Sequence, residues 1–391
     1  VSLPPTGAAG ELDPRALVLR FLASIGRPDE ASRYLELFRA AEPERFAILH
    51  VSDALVRAAE DALAVDLRVL AEVGLWPVVT MGAVLPRTAA ARAARLAAKL
   101  SPTVPCAVVA PGEVAATVRA GKLAICPLST PDGDDRAATD ARFDALAALA
   151  SALETRKLVF LGRRSGVQPR DGRVVSIIDL THERAHFASP DVLTGQQALL
   201  LRQIDRILDR VGHRLSVSVT SPFDLLRELF TVKGAGTLVR RGSWVSRHAG
   251  WDAVDRGRLV ALVEEAFGRK LAPDFTARPV RSIYVADDYR GAAVITDAPL
   301  APYLSKFAVT LEARGEGVGR DLWRAMQADL PRLFWRSRAD NPITSWYREQ
   351  CDGLQRVHAH GVDWVVLWRG LVPDELPAAI AHCTTAAQDF E

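Results

Sequence analysis

Cysteine is scarce in this chain of 391 residues, and the four present, Cys106, Cys126, Cys351 and Cys383, show no C-x-x-C spacing. That pattern suits free thiols in a reducing compartment. An excess of charge is lacking too: 49 Lys and Arg stand against 47 Asp and Glu, a net charge of +2. No general field therefore attracts nucleic acid or a membrane surface, and any phosphate binding must be local. No apolar run approaches the roughly 20 residues that span a bilayer. The opening VSLPPTGAAGELDP has no basic segment followed by an apolar stretch, so it is not expected to act as a secretory signal. Repeats and low-complexity tracts are absent. Lysine is far outnumbered by arginine and alanine is abundant, which hints at a GC-rich bacterial genome and, with the free thiols, at the bacterial cytoplasm.

At 391 residues the chain is too long for one ordinary core, and two domains are expected. Its 49% hydrophobic and 25% charged residues are ordinary for a soluble globular protein. Residues 12–24 read as an amphipathic helix with Leu17, Leu19, Phe21 and Leu22 on its apolar positions. Strands are expected at Phe46–Val51, Trp76–Met81, Cys106–Ala110, Leu123–Pro127, Lys157–Leu161, Val174–Leu180 and Leu215–Thr220, and at the GAGTLV run. Helices fall between them at Ala58–Val73, Arg87–Leu100, Asp140–Leu153, Gln196–Val211 and Pro222–Phe230. Strands separated by helices imply a mainly parallel sheet covered on both faces, an α/β class. The polar stretch Arg241–Gly250 marks a boundary, giving domains 1–242 and 243–391. Beyond it come a helix at Val254–Phe267, a hairpin from Ser282–Val285 and Ala292–Thr296, a strand at Leu333–Arg338, a helix at Ile343–Cys351 and a closing strand at Trp364–Trp368.

The richest local signal lies before that last group. An alternating run (Phe307, Val309, Leu311) reads as a strand, Arg314-Gly315-Glu316-Gly317-Val318-Gly319 follows, and a helical pattern (Leu322, Trp323, Met326, Leu330) comes next. Glycines between strand and helix let backbone N–H groups converge, and the helix N-terminus adds partial positive charge, so the loop is built to hold a pyrophosphate. A dinucleotide loop would need G-x-G-x-x-G and an acidic residue about 20 positions on. Here the spacing is G-x-G-x-G, although Asp340 stands at a suitable distance. The R/Q-x-x-G-x-G/A loop of GNAT acetyltransferases is matched at Arg314, Gly317 and Gly319.

LSKFAVTLEARGEGVGRDLW, LFWRSRADNPITSWY and DWVVLWRGL together resemble the acetyltransferase domain of vertebrate-type N-acetylglutamate synthases and of bacterial bifunctional N-acetylglutamate synthase/kinases. The likeness covers about Ser243 to Glu391. Upstream, VSVTSPFDLLRELFTVKGAGTLVRRG resembles the end of the amino-acid-kinase domain of those proteins. The resemblance implies an amino-acid-kinase-like αβα sandwich with a mainly parallel sheet, followed by a GNAT domain. It also implies transfer of acetyl from acetyl-CoA to the α-amine of L-glutamate, L-arginine as an effector, and a homo-oligomer. No metal is implied.

The resemblance assigns residues as follows. Arg314, Gly315, Gly317, Val318, Gly319 and Arg320 would bind the pyrophosphate, and backbone N–H groups near Phe307, Ala308 and Val309 the thioester carbonyl. Lys306, Arg336, Arg338 and Asn341 stand where the family's motifs place substrate contacts, with Lys306 and Arg338 orienting glutamate and Tyr347 acting as the acid for the thiolate. No side chain stands out as the base. Basic residues on otherwise apolar strands need anions. Salt bridges to Glu312, Asp340 or Asp352 would satisfy them structurally, and the two carboxylates of glutamate would do so functionally. Another amino acid acceptor, such as aspartate or ornithine, would keep the chemistry. A different class of role is an arginine-sensing partner of arginine-pathway enzymes.

The first domain departs from the kinases it resembles. Where they carry K-x-G-G and H-G-G-G, this chain has His50-Val51-Ser52-Asp53 and Met81-Gly82-Ala83-Val84. Gly195-Gln196-Gln197 leads to Leu200 in place of a lysine, and Ala138-Thr139-Asp140-Ala141 replaces an asparagine-rich contact. Phosphoryl transfer depends on positioning and charge neutralisation, so these losses predict a scaffold without it. Glu228, Lys233, Gly234 and Gly236, with the N-terminal helix, stand where the family's arginine site lies; tightly packed sheet-edge structure is the other reading. His182-Glu183-Arg184-Ala185-His186 has the letters of a zinc motif, which needs a helix. It follows a strand, and Pro190 is expected to stop any helix within a turn. His358-Ala359-His360 reads as a strand turn before Gly361.

Overall fold

The structure is a computed structural model describing residues 24, 28–53, 55, 57–386 and 389–391. The chain divides into two compact units that part between Arg241 and Gly242. The helix expected at 12–24 lies outside the described residues apart from Ser24.

In the first unit α1 (Pro28–Arg39), β1 (Ala47–Val51), α2 (Arg57–Glu72), β2 (Val78–Met81), α3 (Ala89–Leu100), β3 (Cys106–Val108), α4 (Val114–Arg119) and β4 (Leu123–Pro127) alternate. Then come α5 (Arg136–Ala152), β5 (Lys157–Leu161), β6 (Ile177–Asp179), α6 (Leu180–Ala188), α7 (Gly195–Arg210), β7 (Ser216–Thr220), α8 (Leu225–Phe230) and β8 (Thr237–Arg240). The sheet order is β3-β4-β2-β1-β5-β7-β8-β6, parallel except where β7 meets β8. Central strands such as β1 (AILHV) are buried throughout, as a sheet covered on both faces requires. Leu49, Val79 and Val159 pack with Leu63, Leu67 and Leu96 on one face. Ile48, Val78 and Leu158 pack with Phe143, Leu146 and Ile204 on the other. The result is a three-layer αβα sandwich. Asp135 starts α5 by accepting the Ala138 N–H at 2.8 Å.

The second unit runs β9 (Val245–His248), α9 (Arg256–Phe267), β10 (Ser282–Ala286), β11 (Gly291–Thr296), β12 (Tyr303–Val309), α10 (Val318–Asp329) and β13 (Leu333–Arg338). It closes with α11 (Thr344–Gln350), β14 (Gly353–Ala359), β15 (Val362–Arg369) and α12 (Leu376–Thr385). The sheet order is β14-β15-β13-β12-β11-β10-β9. Two strands, β9 and β14, were not anticipated. The first lies inside the stretch read as a polar boundary, and the second is an edge strand whose residues are all exposed or half-exposed. Asp255 caps α9 through the Arg258 N–H at 3.0 Å, and Gly268, at φ 64°, ends it.

The zinc-like motif corrects an expectation. It lies on a helix, because α6 completes nine residues before Pro190. Its side chains serve the helix start instead: Glu183 accepts the Asp179 N–H at 2.8 Å, and His182 Nδ1 lies 2.9 Å from the Asp179 carboxylate. Among the described residues no group of three or more His, Cys, Asp and Glu is placed to hold a metal. No described helix is long and apolar enough to cross a membrane.

Candidate active site

β12 and β13 pair in parallel only at Tyr303–Phe334 and Leu304–Trp335. Just beyond, the register of β12 against β11 shifts, so that Ser305 is the extra residue of a bulge. From there β12 keeps its β11 ladder and leaves β13, opening a split in the sheet. Thr310 N–H reaches Arg290 O on the β11 side at 2.9 Å. Strand alternation then turns the N–H groups of Phe307 and Val309 toward the split, and that of Ala308 toward β11.

The bulge also sorts side chains between the two faces. Leu304 and Phe307 pack with Trp323, Trp335 and Tyr347 beneath α10 and α11. Tyr303 and Phe334 pack with Cys383 of α12 on the other face, and Ala308 packs with Leu259 of α9. Lys306 belongs to this second face, its Nζ 5.0 Å from the Phe275 ring centre. Arg336 and Arg338 share it by strand alternation from Phe334.

On the first face the glycine loop enters α10. Gly315 and Gly317 have φ of 83° and 82°, a backbone region favouring glycine. Gly317 is the N-cap, so the N–H groups of Val318 and Gly319 lie in the first turn and have no carbonyl within the helix. A Cβ on Gly319 would meet Val309 at an ordinary 3.5 Å, so packing within the protein does not itself demand glycine there. Arg320 is exposed beside the loop. Arg314 points elsewhere: its guanidinium donates to Ala266 O of α9 at 2.9 Å and to Val309 O at 3.4 Å, tying the loop to the scaffold. Glu316 pairs with Arg290.

Tyr347 is 6% exposed, with its ring 6.3 Å from Phe307 and 5.5 Å from Trp335, the two residues flanking the split. Burial pushes its phenol well above the usual range, so the proton stays on near neutral pH. On the opposite face Lys306 is 3% exposed. Its ammonium donates to Ser305 O at 3.1 Å, to Ser305 Oγ at 3.3 Å and to the Asp389 carboxylate. Burial pulls it down to about 8, while Asp389 holds it up. Arg336 donates to Cys383 O at 2.5 Å and lies 4.4 Å over the Trp364 ring. Arg338 is the most open, its side chain 51% exposed and its Nε 3.4 Å from Asp340. Asn341 Oδ1 accepts the Ile343 N–H at 3.2 Å, which fixes the turn into α11.

The expected candidates thus fall on both faces of one split, and Asp340, one of the carboxylates expected as partners, stands beside Arg338. Asp389, the partner of Lys306, was missed. A buried lysine signals that an anion must exist, yet nothing in linear spacing points 83 residues away.

In the first unit the stretches that depart from the kinase pattern bond to the chain's own groups. The Asp53 carboxylate accepts the Leu85 N–H at 3.1 Å and Arg92 Nη1 at 2.8 Å. Burial raises the Asp53 carboxyl against the pull of Leu85 and Arg92. His50, pulled down to about 3 by burial, faces Thr80 Oγ1 at 3.0 Å. Arg142, fully buried, donates to Ala83 O at 3.0 Å and to Gly133 O at 2.9 Å. Farther along, Glu228 is buried and accepts the Ala235 N–H at 2.9 Å, closing the Lys233–Gly236 turn on itself, with Lys233 exposed. A Cβ at Gly236 would stand 2.3 Å from Val219 O, so only glycine fits. His358 Nδ1 faces Asp363 at 2.7 Å across the β14–β15 turn.

Residues 246–386 match the family described as NAT, the N-acetyltransferase of N-acetylglutamate synthase. An acetylglutamate kinase of Xanthomonas campestris is 33% identical over 426 residues, covering 91% of this chain and 97% of that protein. The human mitochondrial N-acetylglutamate synthase is 36% identical over 254 residues, covering 63% of this chain and 47% of that one. Among solved structures, the N-acetylglutamate synthase of Neisseria gonorrhoeae complexed with coenzyme A and N-acetylglutamate shares the fold at a TM-score of 0.50 and 18% identity. That match covers 88% of this chain and 98% of that one. The sandwich is amino-acid-kinase-like and the second unit is a GNAT acetyltransferase domain. With these two domains in this order, the chain belongs to the family of N-acetylglutamate synthases and bifunctional N-acetylglutamate synthase/kinases.

Proposed function

We propose that this protein is an N-acetylglutamate synthase, transferring acetyl from acetyl-CoA to the α-amine of L-glutamate. The observation that carries the reading is the split between β12 and β13, with the left-handed glycines and the start of α10 on one face and Lys306, Arg336 and Arg338 on the other. Acetyl-CoA would lay its pyrophosphate on the first-turn N–H groups of Val318 and Gly319 beside Arg320 and run its thioester along the open edge of β12. The Phe307 and Val309 N–H groups can donate to that chain and to the oxyanion of its carbonyl. Arg338, with Lys306, Arg336 and Asn341, would receive the two glutamate carboxylates on the far face. Lys306 uses all three N–H groups, but two go to neutral Ser305 oxygens that a carboxylate can displace. The amine attacks the thioester directly, its proton leaving to water, and Tyr347 protonates the departing thiolate. Burial favours the neutral phenol, so Tyr347 regains its proton from water once the thiolate has taken it.

The first unit is proposed to lack phosphoryl transfer, although the Xanthomonas relative is named a kinase. In support, the Asp53 carboxylate binds the donors that a phosphate would need and would repel its charge. The Glu228–Gly236 segment is proposed to respond to L-arginine; the Neisseria protein is also known complexed with coenzyme A and L-arginine.

Purified protein with acetyl-CoA and a panel of amino acids tests the main reading. Glutamate should exceed aspartate and ornithine in kcat/KM by about tenfold or more. Preference for a diamine would overturn the assignment of the basic wall.

A further inference from the structure

We propose that Asp389 is a positioning residue for the acceptor, anchoring Lys306 by an ion pair so that its ammonium is presented to an incoming carboxylate. The inference rests on the reading of this unit as an amino-acid acetyltransferase.

Asp389 is itself held firmly. One carboxylate oxygen takes Lys306 and the other takes Arg278 Nη1 at 2.7 Å. Its backbone carbonyl accepts the Ala272 N–H at 2.9 Å, Phe390 bridges to Leu271, and the Glu391 N–H donates to Lys270 O at 3.0 Å. The Phe390 ring packs on Phe267 at 5.0 Å and lies 5.2 Å from Lys306 Nζ, opposite Phe275 at 5.0 Å. A carboxylate fixed from its backbone and from a second cation is a poor candidate for displacement. The neutral Ser305 oxygens are the contacts an acceptor can replace.

The charges around Lys306 give Asp389 a second consequence. Burial opposes the charge of Lys306 most, and Arg336 from β13 and Arg278 from the segment after Phe275 oppose it further. Asp389, on the C-terminal segment, supports it. Without that carboxylate the ammonium would face two guanidinium groups in an enclosed, aromatic site and would give up its proton at lower pH.

The test uses the full chain and its Asp389→Asn and Asp389→Glu variants. The chain has six lysines, so carbon- and nitrogen-labelled lysine allows each side chain to be titrated by NMR without any substrate. One lysine should titrate near 8 in the parent protein and distinctly lower in Asp389→Asn. In kinetics, Asp389→Asn should raise the glutamate KM about 10- to 100-fold and leave the acetyl-CoA KM within about twofold. Its alkaline limb for glutamate should move to lower pH, and Asp389→Glu should recover most of the loss. A lower glutamate KM in Asp389→Asn would overturn the proposal by showing that the carboxylate occupies the acceptor's place. An unshifted lysine titration in an active variant, or equal loss for both substrates with a falling Tm, would overturn it as well. If the parent protein acetylates no amino acid, the functional reading fails first and takes the acceptor role of Asp389 with it.

Discussion

Replacing Arg338 by alanine separates a binding role from a structural one. The side chain is 51% exposed and its ion pair with Asp340 spans 3.4 Å, in contrast to the buried Lys306. An exposed pair of that geometry contributes little, so the fold should lose no more than about 0.5 kcal/mol. A charge-assisted fork to a substrate carboxylate is worth about 1.5–3 kcal/mol. That corresponds to a fall of about 10- to 150-fold in kcat/KM for glutamate. Acetyl-CoA should keep its KM within about twofold, because Arg338 shares a face with Phe334 and the glycine loop leads into α10 on the other. Initial rates with each substrate varied in turn, beside a thermal melt, read all three quantities. Arg338→Lys should fall between, since it keeps the charge and loses the fork. Equal rises in both KM values, or a melt several degrees lower, would refute the reasoning and make Arg338 structural.

Tyr347→Phe removes one hydroxyl from a packed aromatic cluster and should lower kcat about 100-fold or more with both KM values within several-fold; an unchanged kcat would exclude Tyr347 as the acid. With ATP, magnesium and N-acetylglutamate the protein should release no ADP above background if the paired Asp53 and Arg92 stand where a phosphate would need to bind; robust turnover would make the chain bifunctional. L-Arginine at millimolar concentration should raise Tm and alter kcat or KM, and Glu228→Ala should weaken both effects. Calorimetry without an arginine signal on active protein would leave the first unit as a scaffold.

The sheet of the first unit was legible because its central strands are continuous apolar runs such as AILHV, bounded by helical periodicity. The glycine loop was legible because its chemistry is local: two left-handed glycines and a helix start adjoin in sequence. What escaped depends on distant groups. Nothing in LSKF announces that Ser305 is a bulge, yet that one residue puts Lys306 on the face of Tyr303 and Phe307 on the face of Leu304, the reverse of unbroken alternation. Arg314 matched its motif but satisfies Ala266 O, a carbonyl 48 residues away. β14 was missed because an edge strand exposed along its length carries no apolar alternation. Pro190 lies two residues beyond the end of α6, so it limits the helix to nine residues without cutting it to a turn.

The central claim is that the acetyl group moves from the thioester to the amine of glutamate. Incubation with acetyl-CoA labelled with carbon-13 at the carbonyl and with nitrogen-15 glutamate, followed by NMR, tests it directly. The expected product has a labelled carbonyl carbon with one-bond coupling to the labelled nitrogen, formed in step with free CoA. Free CoA released without that coupling, or acetyl-CoA left unconsumed beside a folded protein, would contradict it.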